Sequence, residues 1–169
     1  MYAYCLFCQT QRCARVAQLL EARGIHRAFS PRIIQKQRVR GVNQRKWVDL
    51  LPGYVIIVSE EKLTEISPFF GIDGVIRRVG QPDEWYELQG MDREFAFQLL
   101  DKDGVVGSMR IVKAGDEVVL EDPLFAGSRG KVTKIDYRKE RARVDFIFEG
   151  TACHTWVSLD GVRPDGNGG

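Results

Sequence analysis

The strongest structural signal in this 169-residue chain is the run Leu51-Pro52-Gly53-Tyr54-Val55-Ile56-Ile57-Val58. Its second half is β-branched, and β-branched side chains pack well in a buried strand. The segment from Tyr2 to Cys8 is apolar on both faces, which predicts a central strand. A further strand is predicted from Gly74 to Val79. The first half of the chain is therefore expected to contain a sheet.

Two segments beside these strands have helical spacing. The first is capped by Thr10 and ends at Gly24, and the second runs from Glu87 to Asp101. The apolar residues that recur on the first helix are Cys13, Val16, Ala17 and Leu20. Strands and helices together predict an α+β or α/β sandwich over residues 1–100.

The pattern changes after the second helix. Gly104 and Gly107 mark a linker, which we place at residues 101–109. The strands predicted beyond it are short: Glu117–Leu120, Lys131–Asp136, Arg141–Phe148 and Cys153–Ser158. Short strands separated by turn residues predict a small β-barrel over residues 110–164, because a closed barrel leaves no exposed edge. Residues 165–169 are expected to form a flexible tail.

The charges of the chain are unevenly distributed. The formal net charge is +2, from 25 basic and 23 acidic residues. Six basic residues and no acidic residue lie between Arg32 and Lys46, whereas seven basic and two acidic residues lie between Arg129 and Arg143. Basic patches attract nucleic-acid phosphates without reading sequence. Each patch alone fits a solvated hairpin face equally well, but two separate patches favour a nucleic-acid partner.

The four cysteines, Cys5, Cys8, Cys13 and Cys153, raise the question of a metal site. A strand directs Cys5 and Cys8 to opposite faces, and no Gly or Pro lies between them to form a zinc knuckle. We therefore expect buried thiols, with no metal and no cofactor.

Catalytic motifs are missing from the sequence as well. The chain has two histidines, and it contains neither H-E-x-x-H nor G-x-S-x-G. The segment Gly127–Val132 resembles a phosphate loop, but Phe125 stands where the first glycine belongs. A tight turn explains these glycines better. The sequence therefore does not indicate an enzyme.

The sequence does not indicate a membrane-spanning segment or a signal peptide. No apolar run approaches the roughly 20 residues that a membrane span requires. The start, Met1–Cys5, lacks the basic region of a signal peptide. We expect a cytoplasmic protein with no membrane partner.

The order of these segments resembles the NusG family. Leu51–Val58 followed by Gly74–Gly80 is similar to the signature of NusG amino-terminal (NGN) domains, and Ala114–Val118 with Pro123–Val132 resembles a KOW motif. Lys134–Val144 is similar to the KOW region of LoaP-type antiterminators, which are specialised paralogs of NusG. Phe7-Cys8-Gln9 and the Arg32–Lys46 segment resemble RfaH-like proteins. The resemblance implies an α+β fold, in which an antiparallel NGN sandwich with flanking helices precedes a small SH3-like KOW barrel.

The resemblance also implies a partner. NusG-family proteins use an apolar concavity of the NGN domain to grip the clamp helices of RNA polymerase. The matching positions here are Phe7, Tyr54, Ile56, Phe69 and Phe70. Core packing is an equal alternative for Phe69 and Phe70. The implied function is that of a transcription elongation factor that promotes processive antitermination and acts as a monomer.

The two basic patches are expected to contact two nucleic acids. Contacts to the non-template DNA strand are expected from Arg38, Arg40, Arg45 and Lys46. Trp47 is either a stacking surface for that strand or an anchor of the core or hairpin. RNA contacts, for instance to a leader hairpin, are expected from Arg129, Lys131, Lys134, Arg138, Lys139, Arg141 and Arg143.

Other functions stay open on the sequence alone. A general NusG would couple polymerase to the terminator Rho or to a ribosomal protein, and the strongly basic KOW segment argues weakly against it. A ribosome-associated or RNA-binding protein would use only the KOW barrel, and the complete NGN pattern argues against that. A zinc-dependent regulator would require bound metal.

Overall fold

The computed structural model of the chain describes residues 1–64, 71–78, 87–126 and 129–162. Within these ranges the protein is mostly β-strand with two α-helices. Contacts between residues divide the chain into two compact units. The first unit comprises Met1–Pro31 and Leu51–Gly104, and the second comprises Arg32–Leu50 and the chain from Val105 onward.

The first unit is built on a four-stranded antiparallel sheet. Its strands are β1 (Tyr2–Cys8), β2 (Arg27–Phe29), β5 (Tyr54–Ser59) and β6 (Val75–Arg78). Their order in the sheet is β2-β5-β1-β6. The two segments with the strongest strand signal therefore lie at the centre of the sheet, as their two-sided apolar character predicts.

Helix α1 (Cys13–Ala22) packs against this sheet. Its buried side chains are Cys13, Val16, Ala17 and Leu20. They form one core cluster with residues of the central strands, among them Tyr4, Leu6, Cys8, Val55 and Ile57. The helical spacing is confirmed, because side chains three and four positions apart share one helix face. The predicted cap is wrong: Thr10 lies in a short 3-10 turn, and Arg12 precedes the helix without a capping side-chain bond.

Helix α2 (Gly90–Asp101) completes the regular structure of the first unit. It begins three positions later than the sequence predicts and ends where predicted. Phe95, Ala96 and Leu99 are its buried side chains. Gly104 follows the helix with a φ of +74°, and a β-carbon there would lie 2.7 Å from Cδ2 of Phe29. Glycine is therefore needed at this point to bring the chain past the Phe29 ring.

A tight turn before β5 sets the register of the two central strands. The Tyr54 N–H donates to the Leu51 carbonyl at 3.0 Å, which closes a turn around Pro52 and Gly53. Gly53 has a φ of +86°, and proline followed by glycine suits the type II turn. The Gly53 carbonyl accepts a hydrogen bond from the Cys8 N–H at 2.6 Å. The turn thus joins the end of β1 to the start of β5.

The second unit contains a hairpin and two further sheets. The hairpin strands are β3 (Arg32–Val39) and β4 (Val42–Asp49), and β7 (Val105–Val106) pairs in parallel with β3. The remaining strands are β8 (Ile111–Ala114), β9 (Glu117–Leu120), β10 (Gly130–Asp136), β11 (Arg141–Phe148) and β12 (Thr151–Ser158). Strands β8 and β9 pair with each other, and β10-β11-β12 form an antiparallel sheet. The predicted bounds of β9 to β12 agree to within two residues.

The hairpin groups with the later strands rather than with the rest of residues 1–100. Val105 and Val106 pair with the start of β3. Gln35 Nε2 donates to the Trp156 carbonyl at 2.8 Å, and the Lys36 N–H donates to Ser158 Oγ at 2.8 Å. The sequence pattern does not indicate this grouping, because 121 positions separate Gln35 from Trp156. The boundary after Gly104 falls within the segment predicted as a linker.

No helix in the described part of the chain is long and apolar enough to span a bilayer.

The turn before β5 predicts a specific sensitivity at Gly53. A β-carbon at Gly53 would lie 2.9 Å from Cε2 of Phe7, so Gly53→Ala must move that ring. Gly24→Ala is the matched control, because Gly24 has a similar φ of +95° and open space around it. Gly24→Ala is expected to cost about 1 kcal/mol of unfolding free energy for the positive φ alone. Gly53→Ala is expected to cost clearly more in urea denaturation, and equal losses would contradict the crowding of Phe7.

Candidate binding surfaces

An aromatic pair lies at one end of the central strands. Phe7 and Tyr54 stand directly opposite each other in the β1–β5 register. Their ring centroids are 5.4 Å apart and the rings meet edge to face at 69°. Both residues are partly exposed. Edge-to-face packing holds two rings in a fixed arrangement while leaving apolar surface in contact with water.

The other predicted polymerase contacts are placed differently. Ile56 is fully buried, so its assignment as a surface contact is corrected. It lies in the middle of β5, where every residue after Tyr54 is buried, and on the same sheet face as the aromatic pair. Phe69 and Phe70 lie outside the described residues.

The four cations predicted to contact DNA are all exposed on the β3–β4 hairpin. The antiparallel register places Arg38 and Arg45 on the same hairpin face as Trp47, and Lys46 on the opposite face. Arg40 lies in the two-residue turn, where Arg40 and Gly41 have φ values of 49° and 81°. Positive φ at both positions is typical of the type I′ turn that closes tight hairpins.

Trp47 is half exposed on this hairpin. Its side chain retains 49% of its accessible surface. The Arg32 guanidinium carbon lies 5.4 Å from the centroid of the indole ring, which is a cation–π arrangement. Trp47 is therefore a surface side chain rather than a core anchor, although one of its faces is partly occupied by Arg32.

The second basic patch divides by exposure. Its exposed members are Lys131, Lys134, Arg138 and Lys139. Arg143 is half-buried, and its Nε donates to Asp145 Oδ1 at 2.9 Å. Arg129 retains only 8% of its surface, so its assignment as an RNA contact is corrected. It directly precedes Gly130, where the chain passes so close to Phe125 that a β-carbon would lie 2.8 Å from that residue.

Arg141 lies over the ring of Trp156. Its guanidinium carbon is 4.1 Å from the ring centroid. Its Nε lies 3.8 Å from Asp136 Oδ2, too far for a hydrogen bond. The sequence does not reveal this contact, because the alternation of β12 does not indicate which cation lies over the indole of Trp156.

The aromatic residues of the C-terminal strands are mostly core. Phe125 and Phe146 are buried, and their ring centroids are 5.4 Å apart. Phe146 is therefore a core residue, and the burial of Phe125 leaves its ring no surface on which RNA could stack. Tyr137 is half-buried. Glycine is needed at position 130, because a β-carbon there would collide with Phe125.

The thiols of β1 and α1 are enclosed by apolar side chains. Cys8 and Cys13 belong to the core cluster beneath α1. Burial raises the pKa of the Cys8 thiol to about 12, with a smaller contribution from the neighbouring Cys13. Burial also raises the pKa of Cys153, which is only half-buried. Among the described residues, no group of three or more His, Cys, Asp or Glu side chains is placed to hold a metal ion.

The raised pKa predicts slow alkylation of Cys8 in the folded protein. Each pKa unit lowers the thiolate fraction tenfold, so a pKa near 12 leaves roughly a thousandfold less thiolate than an ordinary cysteine. At about pH 8, iodoacetamide should modify Cys153 first and Cys8 only after urea unfolding. Peptide mass mapping over time measures both rates. Native modification of Cys8 as fast as that of Cys153 would contradict the buried neutral thiol.

Comparison with known proteins places the chain in a family. The family profile described as "Transcription termination factor nusG" matches residues 2–95, so the chain belongs to the NusG family. Proteins of this family are transcription elongation and termination factors that bind RNA polymerase and are not enzymes.

One solved structure shows how far the fold is shared. The structure described as "Domain interaction in Thermotoga maritima NusG" is similar, with a TM-score of 0.56 over 93% of each chain at 15% sequence identity. At this identity the likeness concerns the fold. No curated protein matches the chain.

Proposed function

We propose that this NusG-family protein is a processive antitermination factor that binds the clamp helices of RNA polymerase through its first unit. The observation that carries the proposal is the partly exposed Phe7–Tyr54 pair at the end of the central strands. Aromatic side chains that lose their remaining contact with water commonly dominate binding energy at protein interfaces. Phe69 and Phe70 remain further proposed polymerase contacts.

The polymerase proposal predicts a loss of affinity in two variants. Phe7→Ala and Tyr54→Ala should each weaken binding to purified RNA polymerase by about five- to thirtyfold, the effect of removing a residue that contributes about 1–2 kcal/mol. Phe97→Ala is the matched control, because Phe97 is also a half-buried ring of the first unit but lies on α2 beneath Arg93. Unchanged affinity in both test variants, measured by surface plasmon resonance, would refute the proposed surface.

The hairpin is proposed to contact the non-template DNA strand. Arg38 and Arg45 share one face with Trp47, and Arg40 extends from the turn. Cations beside a half-exposed aromatic ring are the combination that single-strand binding uses, because phosphates need charge and bases need a stacking surface. Lys46 points to the other face and contributes charge rather than stacking to this site.

The C-terminal strands are proposed to form a KOW-type barrel that contacts RNA. The support is the set of exposed cations on β10 and the β10–β11 turn, namely Lys131, Lys134, Arg138 and Lys139. Arg141 and Arg143 lie beside acidic residues, so they contribute less long-range attraction. Contacts of this kind bind the RNA backbone and depend on salt.

Charge reversal tests the RNA proposal in the intact chain. The triple variant Lys134→Glu, Arg138→Glu and Lys139→Glu should abolish salt-sensitive binding of an RNA hairpin, because three phosphate contacts become repulsive. Lys113→Glu, the reversal of an exposed cation on β8, is the control that gives the effect of each reversed charge outside the patch. Fluorescence anisotropy measures both. Retention of wild-type affinity by the triple variant would exclude this patch as the RNA site.

Transcription in vitro distinguishes the proposed function from general NusG activity. Over a terminator from its own gene neighbourhood, the protein should increase read-through with purified polymerase. The basic, exposed β10–β11 surface is the reason for favouring an RNA-recruited antiterminator. Increased termination in the presence of Rho would instead identify a general NusG.

A further inference from the structure

A polar groove lies within the second unit, between the β3–β4 hairpin and strands β11 and β12. Its volume is about 120 Å³. The side chains that line it include Gln35, Lys36, Gln37, Lys46, Arg141 and Trp156. None of the lining residues in the described part of the chain is acidic. The groove therefore brings cations from both basic patches to one place.

Hydrogen bonds hold the walls of this groove together. The Gln35 side chain is bonded to the Trp156 carbonyl, and the Lys36 backbone is bonded to Ser158 Oγ. The Lys36 ammonium donates to Asp160 Oδ1 at 2.5 Å. Because these bonds use backbone atoms or short side chains, the hairpin and β12 are held at a defined spacing. Lys36 is partly neutralised by Asp160, and Arg141 Nε lies 3.8 Å from Asp136 Oδ2, so Lys46 supplies most of the positive charge available to a ligand.

Arg141 lines this groove and keeps 33% of its side-chain surface accessible. Its Nε is buried, makes no hydrogen bond to any described residue and lies 3.8 Å from Asp136 Oδ2. A ligand in the groove would therefore meet the accessible part of the Arg141 side chain. An anionic oxygen entering the groove would lie near Lys46, Arg141 and the indole of Trp156. Arginine next to lysine is a common arrangement for binding phosphate, because it supplies directed donors and a mobile charge.

We propose that this groove binds a phosphodiester of single-stranded RNA, with Lys46 and Arg141 as its phosphate ligands. The groove is too small for a duplex, whereas one phosphate fits it. Trp156 offers the aromatic surface that single-strand sites pair with cations. The hairpin and the C-terminal strands then form one RNA site, because Lys46 lies on the hairpin face opposite Trp47 and adds only long-range charge to the proposed DNA site. This inference rests on the proposed function, because it specifies how its RNA-binding unit is built.

Two substitutions test the groove in the full-length chain. The probe is a fluorescein-labelled oligouridylate of about 12 nucleotides, with the oligothymidylate of equal length as comparison. Lys46→Gln and Arg141→Gln should each lower the affinity by roughly three- to tenfold. Each should also reduce the slope of log affinity against log salt by about 0.7, the contribution of one single-strand phosphate contact. Lys113→Gln is the control, because Lys113 is an exposed lysine on β8 that does not line the groove, and it should leave both the affinity and the slope nearly unchanged.

The double variant decides whether the two residues share one phosphate. If they do, Lys46→Gln with Arg141→Gln should lose less than the product of the single losses. Lys46 is exposed, so Lys46→Gln keeps the test valid even where Arg141→Gln disturbs packing on Trp156.

Several outcomes would overturn the inference, and they are distinguishable. If the wild-type chain binds RNA and Lys46→Gln binds it equally well, the groove is not the phosphate site. RNA binding by the exposed β10–β11 patch would still stand. Tighter binding of oligothymidylate than of oligouridylate would refute the RNA assignment. Failure of the wild-type chain to bind any RNA at about 50 mM salt would refute the RNA part of the proposed function itself.

Discussion

The hydrogen bond from the Cys8 N–H to the Gly53 carbonyl is the constraint on which the first unit depends. It closes the sheet at the point where Leu51–Tyr54 turns into the second central strand. Gly53 makes this possible in two ways, because its φ is positive and because a larger residue would collide with Phe7. The register that follows puts Phe7 opposite Tyr54 and gives the proposed polymerase surface its shape.

In the second unit, tertiary structure brings together basic residues that are far apart in the sequence. Along the chain, the two basic patches are separated by more than 80 residues, which suggests two independent sites. In the structure, Gln35 and Lys36 bond to β12, and Lys46 and Arg141 face one groove. A net charge of +2 therefore conceals a local concentration of cations that a phosphate backbone would recognise.

The predictions that succeeded were local ones. The central strands, the buried face of α1 and the strands from Glu117 onward follow from periodicity and turn residues. The exposure of Arg38, Arg40, Arg45 and Lys46 also agrees with the sequence, because a run without apolar partners stays in water. Ile56 and Arg129 were predicted to be surface contacts, but both are buried. A sequence motif does not show burial, because burial depends on which residues pack against a side chain.

The sequence by itself determined the family and the secondary structure. Neighbouring residues are enough to define the strand and helix patterns, the turn glycines and the runs of charge. The NusG profile matches the sequence over residues 2–95. Only the tertiary structure decided which charged and aromatic residues meet. The Arg141–Trp156 contact, the docking of Gln35 on β12 and the burial of Ile56 depend on strands far apart in the chain. Sequence periodicity reports only on neighbouring residues, so it does not indicate such contacts. Strand pairing and close packing select one arrangement among many.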